Sequence, residues 1–197
     1  MSEYELYTRI LAPRFLCENQ TLLSEKTEKG KHEARIISQR IDYSIYRYDQ
    51  TEHGNLFLPF FNNTHDGERG KAAIPAPSDL LKFCDYIILA EQNNALYVLL
   101  IEMKSGSTGD ANRQLDASYL FMEYIKSTAQ RISKANGYER FNVTNIKTRK
   151  IVLKQVSNRD RPMTNIAKSN RGNIDLRDPI IYFTSETLPL RLFCREM

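Results

Sequence analysis

The stretch CDYIILAEQNNALYVLLIEMKSG, residues 84–106, holds two apolar runs separated by a polar break. LLKFCDYIILA and ALYVLLIEMKS are rich in β-branched and aromatic residues, which suit a buried pleated strand, and EQNN between them supplies the turn. Alternation divides the runs into two faces. Phe83, Ile87, Leu89, Leu96, Val98 and Leu100 fall on one, and Tyr86, Ile88, Tyr97, Leu99, Ile101 and Met103 on the other. Apolar residues on both faces mark a central strand pair covered above and below. Asp85, Glu102 and Lys104 break that pattern.

With Asn93-Asn94 as a two-residue loop, Gln92 faces Ala95 and, counting outward, Asp85 faces Glu102. Directly opposed residues of an antiparallel pair share a face, with Cβ atoms roughly 4.5–5.5 Å apart. Lys104 lies two positions beyond Glu102 and therefore joins them on that face. Two opposed carboxylates near a core repel and are costly to desolvate, and one lysine relieves only part of this. A hard divalent cation, which selects carboxylate oxygens and water, removes the conflict. The three charges read as a site for a divalent cation such as Mg²⁺ at the end of a hairpin, the competing reading being a strand-end salt bridge.

Outward from the hairpin, ANRQLDASYLFMEYIKSTAQRISKA, residues 111–135, carries Leu115, Tyr119, Met122 and Ile125 at helical spacing, with Gly137 as a stop. RKIVLKQV at 149–156 and DPIIYFTS at 178–185 read as further strands joined by a basic loop. On the N-terminal side, Ala34, Ile37, Ile41 and Ile45 suggest an apolar helical stripe beginning near Lys31, so that 1–50 is expected to be helical. The Gly-, Asn- and Pro-rich stretch that follows is expected to be loop, with one strand at 55–61. The order predicts an α/β fold: one domain over 1–197, with a core at 78–185 and a mixed central β-sheet flanked by helices on both faces.

The 197 residues are 41% apolar and 26% charged, ordinary for a globular protein. Three scattered cysteines without a C-x-x-C pair argue against a zinc site or a disulfide framework and for a reducing compartment, the cytoplasm. The N-terminus lacks the apolar core of a secretory signal, and no apolar run reaches the ~20 residues of a membrane helix. The net charge is only +4, yet residues 131–171 hold eleven basic residues against two acids, a local balance of +9. A basic segment in a near-neutral protein is the footprint of a polyanion-binding face. Arg131, Lys134, Lys147, Arg149, Lys150, Lys154, Arg159 and Arg161 are the expected nucleic-acid contacts. Tyr43, Tyr46 and Tyr48 offer either base stacking or packing.

An acid early in one strand, an apolar hairpin and a following E-x-K, here Asp85 and Glu102-Met103-Lys104, resemble the PD-(D/E)xK nuclease superfamily over residues 78–124. The helix that follows carries Gln114 and Tyr119, as RecB-like members carry a glutamine and a tyrosine. The resemblance implies a restriction-endonuclease-like core and metal-dependent hydrolysis of phosphodiester bonds in nucleic acid, DNA ahead of RNA, in restriction, phage defence or repair. It implies Mg²⁺ or Mn²⁺ on Asp85, Glu102 and the Met103 carbonyl, with Asp79 a rival first ligand. Lys104 would orient water or stabilise developing charge, Gln114 would assist on the helix, and Glu33 would be an accessory acid. Family members often dimerise to cut both strands, and a larger complex stays open here. The alternative is a nucleic-acid-binding or assembly protein that keeps the fold without cutting.

Overall fold

The computed structural model describes residues 2–27, 30–48, 82–105, 109–135, 146–155 and 175–196. In chain order the elements are α1 (Glu3–Ile10), β1 (Leu22–Thr27), β2 (Gly30–Ile37), β3 (Asp42–Tyr46), β4 (Tyr86–Gln92), β5 (Ala95–Lys104), α2 (Ala111–Ala135), β6 (Ile146–Lys154), β7 (Ile181–Thr184), β8 (Thr187–Pro189) and the one-turn α3 (Leu190–Phe193). The expected strand at 55–61, the stop at Gly137 and the rival ligand Asp79 lie outside the described residues.

The β4–β5 hairpin turns on Asn93 and Asn94, both at positive φ (52° and 58°), which asparagine tolerates better than most residues. This geometry suits a tight hairpin, because its twist matches that of the strands. The register follows the count made from the turn: Gln92 pairs with Ala95, and the ladder runs back to Tyr86 opposite Ile101. The hairpin sits inside a five-stranded mixed sheet of order β3-β4-β5-β6-β7. β3, β4 and β5 pair antiparallel in turn, whereas β6 and β7 run parallel to β5. Parallel pairing of β5 with β6 requires a crossover, and α2 lies in that connection.

The two faces of the hairpin divide as the alternation predicts. Phe83, Ile87, Leu89, Leu96, Val98 and Leu100 pack with Leu6, Tyr7 and Leu11 of α1 and its C-cap, and with Leu115, Met122 and Ile125 of α2. Tyr86, Ile88, Tyr97, Leu99, Ile101 and Met103 pack with Leu23, Ala34 and Ile36 of a second sheet, and with Leu190 and Phe193 of α3. That second sheet has the order β1-β2-β8. The α/β fold with a mixed sheet therefore holds, and helices lie on both faces. α1 and α2 make one cover, and a small sheet plus a single helical turn makes most of the other.

The N-terminal expectation needs correction: β2 and β3 occupy the residues read as a helix from Lys31. His32, Ala34 and Ile36 are buried, while Lys31, Glu33, Arg35 and Ile37 are exposed, a period of two rather than 3.6. Gln39 and Arg40 then adopt positive φ (51° and 70°), which no helix interior accepts. The chain passes there from the small sheet to the large one. Helix does form earlier, in α1, where Ser2 and Glu5 make a reciprocal capping box.

Candidate metal and phosphodiester site

Asp85 stands in a bend one residue before β4, just past the end of the ladder at Tyr86 opposite Ile101. Three contacts fix its approach. The backbone N–H of Cys84 donates to Ser118 Oγ of α2 at 2.8 Å, and the Ser118 hydroxyl donates to the Gln114 carbonyl at 2.9 Å. The Met103 N–H donates to Asp85 Oδ2 at 2.6 Å, so the carboxylate of one strand is tied to the backbone of the next. Asp85 is 6% exposed.

Glu102 is deeper, at 1% exposure. Its Oε1 lies 2.5 Å from Lys104 Nζ, while its Oε2 is buried without a hydrogen-bond partner. Burial pushes its pKa up to about 7, against the opposing pull of the Lys104 ammonium. Burial also works against the Lys104 charge, but Glu102, Asp85 and Glu25 outweigh it and hold that pKa above the ordinary lysine value. Lys104 Nζ donates as well to Gln114 Oε1 at 3.3 Å. A buried carboxylate raised in this way, with one unsatisfied oxygen, is a local shortage of positive charge.

Asp85, Glu102, Lys104, Met103 and Gln114 are thus brought together at one end of the sheet. Glu33 is not among them. It lies on the outward face of β2, 2.6 Å from Lys31, because strand alternation turns it away from the sheet that carries the acids. The acid that approaches instead is Glu25 of β1, whose charge acts on both Glu102 and Lys104. Ser24, its neighbour, is pinned to Tyr86 twice: the Ser24 N–H donates to Tyr86 Oη at 2.9 Å, and the Tyr86 hydroxyl donates to the Ser24 carbonyl at 2.7 Å. Tyr86 directly follows Asp85, so the pinning carries Glu25 to the acid end. Only the alternation of β1 could have signalled this, and it does not say which sheet end β1 reaches.

The expected basic contacts separate. Lys150 and Lys154 lie on the α2 face of β6, with Lys150 Nζ 2.6 Å from Asp116 of α2. Lys147 and Arg149 alternate to the opposite face, where Lys147 pairs with Glu196 at 2.8 Å. Arg149 is 8% exposed, with Nε and Nη2 lacking hydrogen-bond partners, so it is a core residue rather than a phosphate contact. Arg131 is exposed, but it lies seventeen positions along the helix from Gln114, roughly 25 Å away. Lys134 lies in the last turn of α2, and Arg159 and Arg161 fall outside the described residues.

Of the tyrosines, Tyr46 and Tyr48 are buried and Tyr43 donates its hydroxyl to the Gln20 carbonyl, which makes them packing residues. Cys84 is fully buried, and burial drives its thiol pKa upward, so it is no nucleophile.

Among the described residues, no helix is long and apolar enough to cross a membrane. Compared with known proteins, the chain matches no family model, no curated protein and no solved structure.

Proposed function

We propose that the chain is a metal-dependent phosphodiesterase acting on nucleic acid, DNA ahead of RNA, built on a restriction-endonuclease-like core of the PD-(D/E)xK type. One observation carries this reading. Glu102, 1% exposed and matched by Lys104 on one oxygen only, lies at the same sheet end as Asp85. Support comes also from the run of strand, two-residue turn, strand and helix, which sets Gln114 beside Lys104.

The donor set suits a hard cation. Asp85 and Glu102 supply carboxylate oxygens, and in an extended residue the Met103 carbonyl leaves the strand on the same edge as the N–H that meets Asp85. Bound Mg²⁺ or Mn²⁺ would supply charge to polarise a phosphate and to lower the pKa of a water. Lys104, held by Gln114, keeps an ammonium beside the reacting phosphate and stabilises negative charge as it develops there. Ser118 acts at one remove, by fixing the backbone that aims Asp85.

A second reading, a nucleic-acid-binding or assembly protein that does not cut, is favoured by one feature. Among the described residues, no group of three or more His, Cys, Asp or Glu is arranged to hold a metal. Plasmid nicking and oligonucleotide cleavage, assayed with Mg²⁺, Mn²⁺ or EDTA, separate the two. Wild type should cut only with metal, and Glu102→Ala should lose on the order of 10²–10³-fold in rate while still binding. Binding by wild type without metal-dependent cleavage would overturn the first reading in favour of the second.

A further inference from the structure

The parallel strands β5, β6 and β7 align Glu102, Val152 and Tyr182 in one row, and Lys104, Lys154 and Thr184 in another. Val152 packs in the α2-side core, whereas Ile181 and Phe183 pack in the opposite one. Tyr182 therefore shares the face that bears Glu102 and Lys104. Two strand spacings, roughly 10 Å, separate its Cα from that of Glu102. It lies on the edge strand and is 49% exposed.

Lys154 Nζ lies 5.0 Å from the centroid of the Tyr182 ring. The other three lysines of β5 and β6 are neutralised: Lys104 by Glu102, Lys147 by Glu196 and Lys150 by Asp116. Among the described residues, Lys154 meets no carboxylate. The face thus offers, in order from the sheet centre, the acid end, an ammonium with no carboxylate partner among the described residues and an exposed aromatic ring.

We infer that Tyr182 and Lys154 form a subsite for an unpaired base and its phosphate, so that the strand crossing Asp85 and Glu102 is single-stranded DNA. This rests on the phosphodiesterase reading given above. The physical reason is which part of a base is available. In a duplex, the base faces are covered by neighbouring pairs and only the edges meet a protein in the grooves. An exposed ring beside a cation recognises the π-face of a base and the adjoining phosphate, which a single strand or a frayed end presents. Lys154 can hold the ring in the free protein and turn to phosphate when a base covers it.

Fluorescence anisotropy in EDTA tests this, using a labelled 12-nucleotide DNA strand, its blunt duplex and the RNA strand of the same sequence. Wild type should bind the DNA strand more tightly than the duplex. Tyr182→Ala should weaken single-strand binding about tenfold, as expected for one stacked base, and change duplex binding less than twofold. Tyr182→Phe should keep the affinity, because the ring and not the hydroxyl is used. Lys154→Met should weaken single-strand binding and reduce its salt dependence. Unchanged single-strand affinity in Tyr182→Ala, or an equal loss on duplex, would overturn the subsite. Tighter binding of the RNA strand than the DNA strand would overturn the choice of DNA. Because the readout needs no cleavage, failure of metal-dependent hydrolysis would sink the phosphodiesterase reading while leaving this discrimination intact.

Discussion

Two buried charges sit on the β5–β6 ladder, three rows apart and on opposite faces, and their surroundings differ. Glu102 is met by the Lys104 ammonium, has Asp85 alongside, and shares with it a lysine tethered to Gln114. Arg149, facing the small sheet, has Leu99 beside it in the ladder and an Nε–Nη2 edge without a hydrogen-bond partner. That edge is the one a carboxylate or phosphate would grip in two places. Burial alone therefore does not make a site. At Glu102 several elements bring polar groups to one point, whereas at Arg149 alternation has carried a long side chain to the buried face that also holds Cys194, at the end of α3.

The largest effect expected to sharpen this contrast is on pH-dependent stability. Glu102 has its folded-state pKa raised to about 7, so the folded protein binds a proton there that the unfolded chain releases near its ordinary value. Protonation therefore favours folding, and the metal-free protein should lose stability as pH rises from about 4.5 to 7. From the shift, the loss is on the order of 3 kcal/mol. Thermal melts of wild type and Glu102→Gln in EDTA check it: the substitution should flatten the slope over that window. Adding Mg²⁺ at about pH 7 should raise the wild-type Tm, since a ligand of the folded state stabilises it. Equal slopes in both proteins would remove the evidence for a charge shortage at Glu102.

Next in size is Ser118→Ala. Ser118 is fully buried, and its loss leaves the Cys84 N–H unpaired, which costs about 1–3 kcal/mol. Denaturant titration should show that loss, and metal-dependent cleavage should fall with it because Asp85 is no longer aimed. A stability loss without any change in cleavage would remove Ser118 from the support of the site. The smallest effect, of opposite sign, is expected for Arg149→Met. Replacing a buried guanidinium that leaves Nε and Nη2 without partners by an apolar side chain of similar length should raise stability by about 1 kcal/mol, or ~2–4 °C in Tm. Cleavage should stay at the wild-type rate. A drop in activity would mean that Arg149 contributes to function after all, and that the two charges are less different than their contacts indicate.

Much of the acid end is legible in the order of residues alone. Asn93-Asn94 sets a two-residue turn, and the turn sets the register, which runs from Gln92 opposite Ala95 to Tyr86 opposite Ile101, beside Asp85 and Glu102. The residues of α2 are likewise those that the spacing of Leu115, Met122 and Ile125 indicates. The N-terminal part is misread because Ala34, Ile37, Ile41 and Ile45 fit a helical stripe as well as Ala34 and Ile36 fit a strand. Burial on a neighbouring sheet settles the competition.

Local chemistry was enough to specify the hairpin, its two apolar faces and the pairing of Glu102 with Lys104, since turn preference and alternation act over a few residues. Long-range packing settled the rest. β2 pairs with β8 across some 150 residues, Glu25 arrives at the acid end through Ser24 and Tyr86, and β7 sets Tyr182 in line with Glu102. Contacts between distant segments depend on how whole layers stack, and spacing along the chain leaves no record of that.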